Sequence, residues 1–210
     1  AALAEWKREN PESKIDDEPF WMVGEYCGQD TTPSALYAHG FDALINFDFQ
    51  ERVLASQPLE SVYAGYAKAL SGQPGYNVLS YLSSHDTQLF AREKLFEAGS
   101  ALLLAPGGVQ IFYGDESGRK PGPAPASDAQ QATRSDMNWA SLDTNLLEHW
   151  RRLGQFRARH VALARGAHVQ IQAEPYVFAR TMADGSDRVL VPPKLKGEVE
   201  IPVSGVFAEG

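Results

Sequence analysis

Apolar positions along this chain gather into short strand-like runs separated by stretches with helical spacing. Residues 1–9 place Leu3 and Trp6 among good helix formers, and Pro11 closes that segment. FWMVGEY (20–26), ALINF (43–47), VLSYLSS (78–84) and VQIFYG (109–114) are rich in strand formers and apolar on both faces. Between them, SVYAGYAKAL (61–70) sets Val62, Tyr66 and Leu70 on one helical face, and LFEAGSALLL (95–104) is apolar enough to be a helix packed on a sheet. Strands without a polar face, alternating with helices, predict an α/β fold with a parallel sheet covered by helices. The strand ends fall near 25, 47, 84 and 114. A (β/α)8 barrel advances by about 31 residues per unit, so the rhythm suits half a barrel. A doubly wound open sheet fits the same pattern.

Beyond the fourth run the pattern changes twice. GDESGRKPGPAPAS (114–127) is dense in Gly and Pro and predicts a long surface loop. Asn145 with Glu148 resembles a capping box opening a helix that carries Leu146, Leu147, Trp150, Leu153 and Phe156 on one side. From residue 168, HVQIQ, YVFART, DRVLV and EVEIPVSGVF are short β-type runs, two of them separated by a turn at 183–186. The expected organisation is an α/β unit over 1–165 and a partial all-β unit over 166–210.

Composition narrows the function classes. With 210 residues, 43% hydrophobic and 22% charged, the chain is ordinary globular material. Its formal charge of −8 argues against nucleic acid and against an anionic membrane surface, since both are bound through Lys and Arg. No apolar run approaches the ~18 residues that span a bilayer. The opening AALAEWKREN has no signal-peptide pattern, lacks Met and begins inside a predicted helix, so the chain reads as a piece of a longer protein. Cys27 is the one cysteine, which excludes an internal disulfide, and it reads as a partly buried structural thiol. His39, His149, His160 and His168 show no metal-ligand spacing and read as surface or packing residues.

Candidate chemistry sits at the strand ends, where α/β barrels carry their functional groups. Glu25 follows the first run, His85 and Asp86 the third, Asp115 and Glu116 the fourth. In a closed barrel Glu25 and Asp86 share a rim two strands apart, an arrangement suited to glycosidic chemistry. Trp21, Tyr26, Phe47, Phe49, Tyr113 and Trp139 lie near these segments, and sugar C–H faces pack on such rings. Taken singly, each group has a plainer reading: a solvated carboxylate for Glu25, a local turn for His85–Asp86, loop chemistry for Asp115–Glu116.

Taken together, five segments resemble the α-amylase superfamily, its bacterial periplasmic type above all. FWMVGEYCG is similar to that family's fifth-strand Gly-Glu segment, HGFDALINFDFQ to the sixth-strand region, and YLSSHDTQ to the seventh-strand His-Asp segment. GVQIFYGDE is similar to the eighth-strand run, and Arg134, Met137 and Trp139 match an Arg-x-x-Met-x-Trp pattern found soon after it. The resemblance covers roughly residues 1–165, and the tail looks like the family's C-terminal β domain. It implies strands five to eight of a (β/α)8 TIM barrel followed by part of a β-sandwich. It implies Glu25 as general acid and then base, Asp86 as the carboxylate that stabilises the transition state, and His85 as a sugar contact beside Tyr26 and Trp21. The implied activity is retaining hydrolysis of α-1,4-glucans or maltooligosaccharides by a periplasmic or secreted enzyme. A cyclomaltodextrinase, an α-glucosidase and a non-catalytic glycan-binding or assembly barrel are the alternatives. The Gly-x-Arg-x-Asp segment that carries the family's nucleophile, and the Asp…Asn-His segment whose Asn helps bind calcium, have no counterpart in the sequence. Calcium is implied for the parent enzyme with no ligand identified in this chain, and the N-terminal half of the barrel is the expected partner.

Overall fold

A computed structural model describes residues 2–32, 34–71, 77–194 and 197–207. Four parallel strands, β1 (Val23–Gly24), β2 (Ala43–Asn46), β3 (Val78–Ser80) and β4 (Gly108–Val109), form one sheet in the order β1-β2-β3-β4. The register pairs Gly24 with Leu44, Asn46 with Ser80, and Ser80 with Val109. Strand order follows chain order without a reversal. The helices are α1 (Ala2–Glu9), α2 (Asp48–Leu54), α3 (Leu59–Ser71), α4 (Leu95–Leu103), α5 (Thr144–Arg159) and the single turn α6 (Ala162–Arg165). A second, antiparallel sheet joins β5 (Ala167–Gln172), β6 (Val177–Thr181) and β7 (Arg188–Val191). No helix among the described residues is long and apolar enough to cross a membrane.

The apolar runs mark the strands but overstate their length. The first run pairs only at Val23–Gly24, the third only at 78–80, and the fourth leaves the sheet after Val109. β1 and β4 each have one neighbour, so a ladder on one side alone holds them. Gly24 permits close packing there, because a Cβ would stand 2.8 Å from Leu44 and Phe41 side-chain atoms. The sequence pattern also passes over α2, which starts at Asp48 directly after the strand and buries Phe49 against Tyr66.

The predicted capping box at Asn145 is corrected. Asp143 is the N-cap of α5, and its Oδ1 accepts from the backbone N–H groups of Asn145 and Leu146 at 3.1 and 3.0 Å. Glu148 is bound to Arg151 and Arg152 instead. The helix then buries Leu146 and Trp150, as its spacing predicts. Trp150 lies so close to α4 that a Cβ on Gly99 would come within 2.4 Å of its ring, and its Nε1–H donates to Leu95 O at 3.1 Å. Cys27 is exposed, not partly buried, because the chain after β1 runs over the surface. EVEIPVSGVF alternates like a strand, yet among the described residues it forms only an isolated bridge between Ser204 and Phe207.

The antiparallel sheet is part of the same core as the helices: Phe178, Val189 and Val191 join Tyr63, Leu102 and Leu163. Two arginines finish α4 at this junction. Arg157 donates to Leu103 O and Ala105 O at 3.0 and 2.8 Å, and the buried Arg180 donates to Leu104 O at 2.6 Å. They satisfy carbonyls that a helix end leaves open and place positive charge at its negative pole. His168 is buried in the same place. Its Nε2 is 2.8 Å from Glu60 Oε2, and its Nδ1 accepts from Arg180 Nε at 3.2 Å.

Nδ1 as acceptor fixes a neutral imidazole, and burial, with the Arg180 charge assisting, holds the His168 pKa below its ordinary value against the pull of Glu60. The unfolded chain therefore takes up this proton first as pH falls below about 6.5, so the stability associated with neutral His168 declines from about pH 7.5 toward 5.5. His168→Gln keeps a donor for Glu60 and removes the titration. The loss of thermal midpoint between those two pH values is expected to be smaller in the variant than in the wild type, and an equal loss in both would contradict the assignment.

Candidate active site

The carboxylates predicted at strand ends follow β1, β3 and β4 in the chain. Glu25 directly follows β1 and is exposed. The chain then turns at Gly28, which has φ of +81°, and returns to β2: Phe47 N–H donates to Gln29 O at 2.9 Å. Gln29 is buried, and its side-chain amide donates to Asp30 O and Thr32 O at 2.8 and 2.9 Å. Tyr26 is exposed beside Glu25 on the same side of β1, whereas Trp21, also exposed, precedes the strand and stands at its other end. Tyr81, just past β3, is buried with its ring edge-on to Phe47 at 5.7 Å. Burial pushes its hydroxyl pKa up to about 12, and the negative charge of Glu25 adds to the shift.

His85 and Asp86 crown a tight turn after β3. Ser84 Oγ accepts from the N–H groups of Asp86 and Thr87 at 3.2 and 3.1 Å, a hydroxyl-capped turn. Asp86 Oδ2 is 3.0 Å from His85 Nε2, and its Oδ1 accepts from Arg134 Nη2 at 3.0 Å. The turn also rests on the short helix Ala129–Arg134. Thr133 Oγ1 donates to His85 O at 3.1 Å, and Gln130 Nε2 donates to Asp86 O at 2.5 Å. The long Gly/Pro loop predicted after the fourth strand thus carries the support of this turn.

Asp115 and Glu116 have structural partners. Asp115 is buried, accepts from Ser83 Oγ at 2.7 Å and pairs with Arg92 at 2.9 Å. Burial raises its pKa above the ordinary carboxylate value, with Arg92 opposing. Arg92 also donates to Ser83 Oγ at 2.9 Å, so the segments that follow β3 and β4 are braced together. Glu116 Oε2 accepts from Gly114 N–H at 2.9 Å. Gly114 has φ of +85°, and a Cβ there would lie 2.4 Å from Arg119, so only glycine fits this corner.

Arg119 itself escaped the sequence reading. It is buried, stacks over Tyr113 at 3.9 Å, and donates to Tyr113 O, Ser135 O and Thr133 O at 3.0–3.1 Å. A lone arginine inside a Gly/Pro loop was the available signal, since such a loop needs an internal scaffold. His149 stacks on Phe96 at 3.6 Å, and His160 pairs with Asp187 at 2.9 Å. Among the described residues no group of three or more His, Cys, Asp or Glu is arranged to hold a metal ion. A cavity of about 450 Å³ opens between α3, α4 and the antiparallel sheet, and neither Glu25 nor Asp86 lines it.

No family model matches the chain. It is 48% identical over 196 residues to the periplasmic α-amylase of Escherichia coli strain K12, covering 91% of this chain and 28% of that protein. The chain thus spans little more than a quarter of the length of that curated relative. Among solved structures, a cyclomaltodextrinase superposes with a TM-score of 0.58 and 24% identity over 88% of this chain and 32% of its own. The α-amylase from H. orenii gives a TM-score of 0.57 and 24% identity over 86% of this chain and 44% of its own. The cyclic α-maltosyl-(1→6)-maltose hydrolase from Arthrobacter globiformis gives 0.57 and 20%, over 90% and 50%. These structural likenesses are likenesses of fold.

Proposed function

We propose that this chain, a relative of the α-amylase superfamily, supplies strands five to eight of a (β/α)8 barrel in a retaining glycosidase of α-1,4-glucans. Residues 1–165 form the half-barrel and 166–210 part of the C-terminal β domain. The 48% identity to a periplasmic α-amylase over 91% of the chain carries this reading. The sequential parallel order of the four strands supports the barrel assignment. The name of that relative supports a periplasmic location, and α-glucans or maltooligosaccharides as substrate.

In this reading Glu25 protonates the glycosidic oxygen as the bond to the leaving sugar breaks, and then takes a proton from the water that releases the glycosyl intermediate. The Asp86 carboxylate faces the positive charge that develops on the sugar ring. His85 binds a sugar hydroxyl. Tyr26 offers an exposed ring to the sugar faces. The nucleophile is assigned to the rest of the barrel. Calcium, implied for the parent enzyme, is likewise assigned to the rest of the barrel.

Anomeric stereochemistry tests the proposal. Hydrolysis of a maltooligosaccharide by the full-length protein, followed by proton NMR in the first minutes, is expected to show the α-anomer before mutarotation. A β-anomer first would reject the retaining mechanism. Binding of the oligosaccharide without any hydrolysis would leave a glycan-binding barrel in its place.

A further inference from the structure

We propose that Arg134 is a positioning residue for the Asp86 carboxylate, an inference that rests on the role given to Asp86 above. The geometry assigns each carboxylate oxygen its own partner: Arg134 holds Oδ1 and His85 holds Oδ2, both at 3.0 Å. Asp86 is about half exposed, with a side-chain accessibility of 48%, and Arg134 has 38%. An ion pair so open to water contributes little to folding. What it does here is select one rotamer of a side chain that would otherwise sample several.

Arg134 can do this because its own backbone is fixed. It ends the short helix Ala129–Arg134, and its Nη1 donates back to Gln130 O at 3.3 Å. Thr133 Oγ1 is 2.8 Å from the same carbonyl and 3.1 Å from His85 O. The carbonyls on either side of Arg134, those of Thr133 and Ser135, are both held by the buried Arg119 guanidinium. Arg119 is tied in turn to the segment that follows β4 through its N–H to Gly114 O at 2.8 Å. A hydrogen-bonded line therefore runs from Gly114 through the loop to a carboxylate displayed after β3. Asp86 acts by charge at a defined point, and a misplacement of about 1 Å costs about 100-fold in rate.

The test is a double-mutant cycle in the full-length protein, with kcat and KM measured on a maltooligosaccharide for Arg134→Gln, Asp86→Asn and the double variant. Arg134→Gln is expected to lower kcat by about 10- to 100-fold, as for a misplaced catalytic group, with KM changed by less than about threefold. Because Arg134 acts through Asp86, the double variant is expected to match Asp86→Asn to within about twofold. Arg134→Lys, which keeps the charge, is expected to recover part of kcat. A full additional loss in the double variant overturns the proposal, as does a loss confined to KM, which would make Arg134 a direct sugar contact. Should Asp86→Asn itself leave kcat within about threefold of wild type, the role of Asp86 falls first, and the positioning role with it.

Discussion

Glu25→Gln in the full-length protein is expected to lower kcat on soluble starch by about 10⁴-fold or more. Positioned proton transfer contributes about 10²–10⁴ to a single step, and in the proposed mechanism the same carboxyl group serves both steps. It gives its proton to the leaving oxygen and then removes one from water, so an amide, which does neither, interrupts the cycle twice. Glutamine keeps the volume and the polar contacts of the side chain, and binding of a maltooligosaccharide should change little. Glu25 is exposed on the segment that follows β1, outside the packed core, so the fold does not depend on its charge. Steady-state kinetics with a parallel binding titration separate the two quantities. A kcat within about threefold of wild type would remove Glu25 from the acid/base role.

Much of this architecture was legible in the sequence because the strands are apolar on both faces. Ala43 and Leu44 are fully buried, as is Val78, and runs of such residues signal a parallel sheet before any coordinates exist. Strand length was not legible. The run 78–84 stays strand-like past Ser80, but Tyr81 to Ser84 are buried without being paired in the sheet. Burial and pairing leave the same mark on composition. The cap at Asp143 was obscured for a related reason: Asn145 and Asp143 are both good caps, and the choice depends on the backbone around Asp143, whose N–H donates to Ser117 O at 3.1 Å.

The candidate site divides in the same way. Glu25 and the His85–Asp86 pair are visible because each directly follows an apolar run. Their supports are not, because they come from distant segments. Asp115 looks like another strand-end carboxylate until Ser83 and Arg92 are seen to close over it. His168 looks like a packing residue, and its partner Glu60 lies in a helix more than 100 residues earlier. Arg134 is recognisable as part of a pattern, but its contact with Asp86 depends on how the loop after β4 folds back.

Residues 1–210 on their own are expected to be catalytically silent on starch, the complete loss of the activity proposed for the full-length protein. Two physical reasons lead there. First, among the described residues β1 and β4 each present an unpaired edge, and parallel strands in such folds are stable when covered on both faces and paired on both sides. Beside these edges stand large exposed apolar side chains, Phe20, Trp21 and Val23 at β1 and Ile111 and Tyr113 after β4. Apolar surface of this kind recruits a partner or aggregates. Second, the covalent step of a retaining mechanism needs a free nucleophilic carboxylate. Asp48 is bound to Arg52 and accepts from Tyr66 Oη at 2.9 Å, and Asp115 is buried beneath Ser83 and Arg92, so neither is available. The measurement is reducing-sugar release by the purified chain beside a Glu25→Gln control prepared identically. Turnover by the wild-type chain that disappears in the control would defeat the prediction and show that a carboxylate of this chain serves as nucleophile. If the chain is silent as expected, adding the remaining half of the barrel as a separate polypeptide should restore part of the activity. Restoration should also slow aggregation, because the same strands would then bury the edges at β1 and β4.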